Sequence, residues 1–138
     1  MWWTYALLSA FFASLTAIFG KLGVANINPN LATGIRTVVI LVMIWCIVLA
    51  RGEAKGINTI SRHGLLFLIL SGVATGLSWL CYFKALQLGN VSQVAPIDKL
   101  SVALTILLAA LFLGETLTMK TAIGAGLIIA GTLVLIGR

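Results

Sequence analysis

The stretch LATGIRTVVILVMIWCIVLA, Leu31–Ala50, holds twenty residues and a single charge, Arg36. About twenty apolar residues in a helix cross the hydrocarbon core of a bilayer, which is roughly 30 Å thick. The run is too long and too continuously apolar for a barrel strand, which takes about 9–11 alternating residues. It reads as a transmembrane helix, since in lipid a helix pairs its own backbone groups unaided. On either side, Trp2 to Gly20 and Gly64 to Phe83 carry no charge at all. Further on, the uncharged run Leu100 to Gly114 is only 15 residues, so a spanning helix must reach back through Lys99, Asp98 and Pro96 to about Val91. A last run extends from about Thr118 to Gly137.

Five spans follow, at about 2–20, 31–50, 64–88, 91–113 and 118–137, in one domain covering 1–138. The fold class is an all-α polytopic membrane protein. Composition agrees: 61% of residues are hydrophobic and 9% charged, whereas a soluble domain has about 25% charged. A water-soluble globule is excluded. The longest stretch without strong apolar bias is the thirteen residues from Arg51 to His63, which leaves no length for a second, soluble domain. Turn chemistry separates the spans: Asn26 to Asn30 between the first two, and Gly89-Asn90 before the fourth. Gly114 fits the end of the fourth, and Thr116 or Thr118 suits the cap of the fifth. The first helix has no basic leading region and is expected to be retained, not cleaved as a signal peptide.

A net charge of +6 raises nucleic acid as a partner, but the nine Lys and Arg are scattered among spans and form no solvated basic face. Nucleic acid is set aside. Catalytic, metal and cofactor motifs are missing too: there is one His, His63, in a loop, with no HExxH, no nucleotide-binding motif and no nucleophile beside a base. Cys46 and Cys81 lie inside spans without metal-ligand spacing and read as small packing residues.

With five spans the termini lie on opposite sides of the membrane. The amino-terminal side carries Arg51, Lys55, Arg62 and Lys120; the other carries Lys21, Arg36, Lys84, Lys99 and Arg138. Setting aside the intramembrane Arg36, Lys84 and Lys99 leaves four against two. By the positive-inside rule the amino terminus is cytoplasmic and the carboxyl terminus external, in a prokaryotic inner membrane. The full count, four against five, keeps dual insertion and antiparallel pairing open.

Charges within spans are costly and by default mark a pathway or protein interior. Lys21, Arg36, Lys84, Asp98 and Lys99 all fall toward one side of the membrane, about one to two turns deep, so they form one layer. Asp98 is its only anion, with Lys84 and Arg36 as candidate partners. Surplus positive charge would attract an anionic or zwitterionic solute, whereas Asp98 suits a proton or an amine. The bland alternative is snorkelling of the long cationic side chains to the interface, which Asp98 is too short to do.

Helical spacing adds hydroxyl stripes: Ser71, Thr75, Ser78 and Tyr82 on the third span, and Asp98, Ser101 and Thr105 on the fourth. With Trp79 and Tyr82 as flat faces, these would line a solute cavity. The competing reading is close helix packing, which small residues such as those of Gly72-Val-Ala-Thr-Gly76 permit. Pro96 removes a backbone donor and is expected to bend the fourth helix just before Asp98. The candidate substrate-binding residues are therefore Arg36, Thr75, Ser78, Trp79, Tyr82, Lys84, Asp98, Lys99, Ser101 and Thr105.

The segment ALQLGNVSQVAPIDKLSVALTILLAALFLGETLT, Ala85 to Thr118, and the glycine-rich GAGLIIAGTLVLIG, Gly124 to Gly137, resemble the drug/metabolite transporter superfamily and its EamA-type domain. The stretch SGVATGLSWLCYFKALQLG, Ser71 to Gly89, extends the resemblance over essentially the whole chain. Typical members have ten spans in two inverted five-span halves around a cavity for amino acids, metabolites or drugs. The resemblance thus implies that this chain is one half of an inverted-repeat transporter and pairs as a homodimer, possibly antiparallel. Pro96, Asp98, Lys99, Gly114 and Glu115 match the family's pattern. The expected function is gradient-driven transport of a small solute, with lipid and a second copy as the other partners. The alternative from a different class is a noncatalytic membrane assembly subunit.

Overall fold

The computed structural model describes residues 1–137; Arg138, counted above with the carboxyl-terminal side, lies outside the described residues. Its helices are α1 Trp2–Val24, α2 Pro29–Ala50, α3 Arg62–Leu88, α4 Val91–Asp98, α5 Leu100–Phe112 and α6 Met119–Ile136, with a 3₁₀ segment at Glu53–Thr59. There is no strand among the described residues. Because α4 and α5 form one span, Val91–Phe112, five helices are long and apolar enough to cross a membrane. The protein is an all-α membrane protein.

Local chemistry sets the ends of these helices. The Asn28 side chain accepts the Asn30 amide at 2.9 Å, Pro29 occupies the first turn of α2, and Thr33 Oγ1 donates back to the Pro29 carbonyl at 2.8 Å. Thr118 caps α6 by accepting the Thr121 amide at 3.2 Å. After α2 and α5 the backbone turns left-handed at Gly52 (φ 68°) and Gly114 (φ 70°), a conformation that costs glycine little. Of the Arg51–His63 stretch, read above only as polar, Glu53–Thr59 coils into the 3₁₀ segment, with Arg51 Nε 2.9 Å from Glu53 Oε1 at its start, and Arg62 and His63 form the first turn of α3, so His63 is helical and not in a loop.

The fourth span is interrupted one residue after Asp98, whereas the sequence places a bend just before it. Pro96 cannot donate to the preceding turn, and the chain tightens beyond it. The Lys99 amide donates to the carbonyls of both Pro96 (3.0 Å) and Ala95 (3.3 Å), so the last turn of α4 is part 3₁₀. Asp98 and Lys99 therefore sit at the break itself.

The described residues divide into two compact units: Met1–Ile18 together with 88–137, and Phe19–Gln87. In the first, α6 packs along both α4 and α5. Thr132 on α6, only 4% exposed, donates to the Ile128 carbonyl at 2.8 Å and also reaches the Pro96 carbonyl at 3.2 Å. The isosteric Thr132→Val removes this shared proton. The expected cost is about 1 kcal/mol, read as a lower thermal unfolding midpoint in detergent with helix content unchanged.

In the second unit the last turns of α1 meet the last turns of α3. Val24, Phe83 and Leu86 are all but fully buried there. Gly20 makes the approach possible: a Cβ built on it would stand 2.6 Å from Phe83 Cε1. Lys21 Nζ donates to the Leu86 carbonyl at 2.6 Å, and Gln87 Nε2 donates to the carbonyls of Val24 (3.2 Å) and Ile27 (3.1 Å). The Leu86 and Val24 carbonyls lie in the last turns of α3 and α1, where they otherwise lack intrahelical partners, and the Ile27 carbonyl lies in the turn between α1 and α2.

Few other side chains are buried within the chain, and large apolar residues along every helix are exposed. For a protein in water this surface would be untenable. In a bilayer it is the surface that lipid or another membrane protein covers.

Candidate functional site

Arg36 lies seven residues into α2, roughly 10 Å along the helix axis at 1.5 Å per residue. Its guanidinium rests against two aromatic faces of α3, 4.2 Å from the Phe83 ring centroid and 5.0 Å from that of Trp79. Aromatic faces carry partial negative charge and attract a cation, the more so when it is withdrawn from water. Phe83 is itself fixed by burial and by an edge-on contact from Tyr82 at 5.7 Å. One guanidinium nitrogen, Nη1, is buried with no hydrogen-bond partner among the described residues.

A groove of about 470 Å³ runs between α2 and α3 within the same unit. At one end it is lined by Thr37, which follows Arg36, and by Trp79, whose ring Arg36 touches. From there it passes Ile40, Ile44 and Trp45 on α2, and Gly76, Thr75, Gly72 and Ser71 on α3. Added Cβ atoms at Gly72 or Gly76 would meet nothing within 4 Å among the described residues, so this Gly-xxx-Gly pair has open space beside it in its own unit. Thr37 Oγ1 donates to the Thr33 carbonyl and Thr75 Oγ1 to the Ser71 carbonyl, each at 2.8 Å. Both protons are thereby committed to the helix backbone.

The sequence-derived candidates divide between the two units. In the second, Arg36, Trp79 and Thr75 gather at or along the groove, whereas Ser78 and Tyr82 do not line it. The lining face of α3 comprises Leu68, Ser71, Gly72, Thr75, Gly76 and Trp79, so of the hydroxyl stripe Ser71, Thr75, Ser78 and Tyr82 only the first two border the groove. Lys84 is exposed, and its Nζ lies 3.4 Å from Gln87 Oε1. Sequence reading missed Phe83, Thr37 and Trp45. The available signal for Phe83 was its spacing, one helical turn beyond Trp79 on the same face.

In the first unit Asp98 and Lys99 occupy the break between α4 and α5, with Lys99 Nζ 3.4 Å from Asp98 Oδ2. Their side chains are 37% and 58% exposed respectively, which leaves this pair open at the surface of the single chain. Ser101 and Thr105 follow on α5, where Thr105 Oγ1 donates to the Ser101 carbonyl at 2.8 Å. A second cavity of about 510 Å³, bordered by Asn90, Ser92, Gln93, Val134 and Leu135, includes no charged residue.

The charged groups thus fall in two places, Arg36 against the rings of α3 and the Asp98–Lys99 pair between α4 and α5, and known proteins share nearly the whole chain. An uncharacterized transporter in the cobO 3′ region of a Sinorhizobium species is 52% identical over 134 residues, spanning 97% of this chain and 95% of that protein. An uncharacterized protein of Methanocaldococcus jannaschii is 33% identical over 129 residues, 94% of this chain and 91% of its own length. No solved structure matches the chain. The profile of the EamA-like transporter family matches residues 1–137. With five membrane-crossing helices and the family's sequence pattern running from end to end, the chain belongs to the EamA-like transporter family.

Proposed function

We propose that the protein is a secondary transporter that moves a small organic solute across the inner membrane down or against a gradient, acting as a homodimer. The observation that carries this reading is the interruption of the fourth span at Lys99, with the Asp98–Lys99 pair at the break. Interrupted helices with charged groups at membrane depth are how carriers hold polar cargo in hydrocarbon. A single chain leaves that pair partly uncovered. A second copy, antiparallel if insertion is dual, would enclose it and supply the facing half of a pathway. In the single-orientation case the loop charges favour a cytoplasmic amino terminus and an external carboxyl terminus.

The uncovered Gly72 and Gly76 favour a second reading, in which the chain is an assembly subunit that docks another membrane protein. Flux separates the two. Purified protein in proteoliposomes is expected to accumulate at least one solute from a panel of radiolabelled amino acids, nucleosides, organic anions and lipophilic cations, above protein-free vesicles. An ionophore that collapses the imposed gradient should abolish the accumulation. A panel without any flux from folded protein would overturn the transporter reading.

A further inference from the structure

We propose that the α2–α3 hairpin binds an anionic phospholipid, with the phosphate against Lys55 and Arg62 and one acyl chain laid along the groove. The inference goes beyond the transporter reading and does not rest on it. Every residue of the site lies in the unit Phe19–Gln87. The connection that closes the hairpin is the starting point. Arg51 follows the end of α2, Lys55 lies on the 3₁₀ segment and Arg62 opens α3. Glu53 is the single acidic residue of the unit, and Arg51 engages it at 2.9 Å. Lys55 and Arg62 are therefore left without a carboxylate from their own unit. Glu115 follows on the same side of the membrane and can offset one cation, but Lys120 comes with it, so that side keeps four basic residues against two acidic ones.

Two isoleucines set the depth of this connection. Ile57 and Ile60 stand between Lys55 and Arg62 in the chain and are 50% and 44% exposed. Apolar side chains flanked by cations suit the boundary between headgroups and hydrocarbon, where long cationic stems lie along the apolar layer and their charged ends reach the phosphates. Anionic lipids attract basic residues held at that level.

The groove supplies a place for the tail. Its near end, at Trp45 and Leu68, is six residues from Arg51 along α2 and six from Arg62 along α3, about 9 Å on each helix. The glycerol and the first acyl carbons cover that interval. From there the groove continues to Thr37 and Trp79, about 12 Å on α2 and about 16 Å on α3. One leaflet's share of the hydrocarbon core is about 15 Å. The lining suits a chain without hydrogen-bonding groups: of the three hydroxyls that border it, those of Thr37 and Thr75 already donate to backbone carbonyls at 2.8 Å. Gly72 and Gly76 leave open space beside them. A helix from a second copy would fill such a groove, but it brings the same nine cations and three carboxylates and does not answer the charge at the near end. A phospholipid answers charge and lining together.

Native mass spectrometry of the full chain in dodecyl maltoside tests the site with palmitoyl-oleoyl phosphatidylglycerol and phosphatidylcholine, which share acyl chains and differ in net charge. Phosphatidylglycerol is expected to bind saturably and at least about tenfold more tightly. The double variant Lys55→Gln, Arg62→Gln should bring it to the level of phosphatidylcholine, and Lys84→Gln, at the opposite end of α3, should leave the preference unchanged. Gly76→Leu fills the groove and should weaken both lipids alike. Glycerol phosphate, a headgroup without a tail, should not displace the bound lipid. Phosphatidylglycerol carrying a diazirine midway along one acyl chain should, on irradiation, label residues 37–45 or 68–79. Equal affinities, a preference kept in the double variant, displacement by glycerol phosphate, or label confined to other segments would each overturn the proposal. So would Gly76→Leu splitting a dimer with lipid affinity unchanged, since the groove would then belong to a second copy. If Gly76→Leu does not fold, the two-lipid comparison and the labelling of the unaltered chain decide. Lipid binding without any solute flux would sink the transporter reading and leave this site standing, whereas flux without a preference for phosphatidylglycerol would sink this site alone.

Discussion

Gly20→Leu is expected to leave little monodisperse protein after detergent extraction, and Gly20→Ala to lower the thermal midpoint. A Cβ at this position stands 2.6 Å from Phe83 Cε1, 3.3 Å from its Cζ and 3.5 Å from Leu86 Cδ1. The ring has nowhere to retreat, since Phe83 is 1% exposed and carries the Arg36 guanidinium on its face and Tyr82 at its edge. Overpacking of this kind costs about 1–3 kcal/mol, and the extra carbons of leucine deepen it. Glycine-to-alanine in a helix returns about 1 kcal/mol through propensity. At Gly20 the clash outweighs that gain, whereas at Gly124, where a Cβ meets nothing within 4 Å, the gain should stand alone. Thermal melts of Gly20→Ala and Gly124→Ala, run side by side, check the sign of both. An unchanged or raised midpoint for Gly20→Ala would show that α1 and α3 do not close there.

Asp98→Asn is expected to abolish gradient-driven accumulation in proteoliposomes while leaving the unfolding midpoint within a few degrees of the unaltered chain. The amide has almost the shape of the carboxylate, so the break at Lys99 should persist. What disappears is the one carboxylate within the five candidate spans. A charge within a span costs several kcal/mol unless paired, and here the carboxylate has Lys99 Nζ at 3.4 Å. Downhill counterflow offers a finer distinction. If Asp98 couples transport to a gradient, counterflow survives the substitution and accumulation does not; if Asp98 holds the solute, both are lost. Full accumulation by Asp98→Asn would remove Asp98 from the mechanism.

Much of the fold was legible because lipid imposes a length rule. Leu31–Ala50 cannot be anything but a span once twenty apolar residues surround one arginine. The orientation of each helix about its axis was not legible, and the reason is physical. In water a buried face differs in polarity from an exposed one, but in a bilayer both are apolar, so the pattern carries little contrast. The third span shows the consequence: of the hydroxyl stripe Ser71, Thr75, Ser78 and Tyr82, the first two border the groove, beside Gly72, Gly76 and Trp79, and the last two do not. Arg36 was recognisable as a candidate from its cost in hydrocarbon. Its aromatic seat was not, because nothing in a sequence separates a cation awaiting a carboxylate from one laid on rings four residues apart. The break after Asp98 was nearly legible from Pro96, but a proline acts through hydrogen bonds on both sides, and the tightened turn ends at Lys99.

The two hydrogen bonds from Gln87 bear on how the protein is made. The carbonyls of Val24 and Ile27, at the corner joining the first two helices, receive their donor from a residue 63 and 60 positions later in the chain. At about 5–20 residues per second of synthesis, that donor leaves the ribosome some seconds after the corner itself. Until then the corner must stay at the headgroup region, where water can occupy its carbonyls. The first hairpin is thus completed only when the third helix inserts, and the order of synthesis holds open a seat that a single side chain later closes.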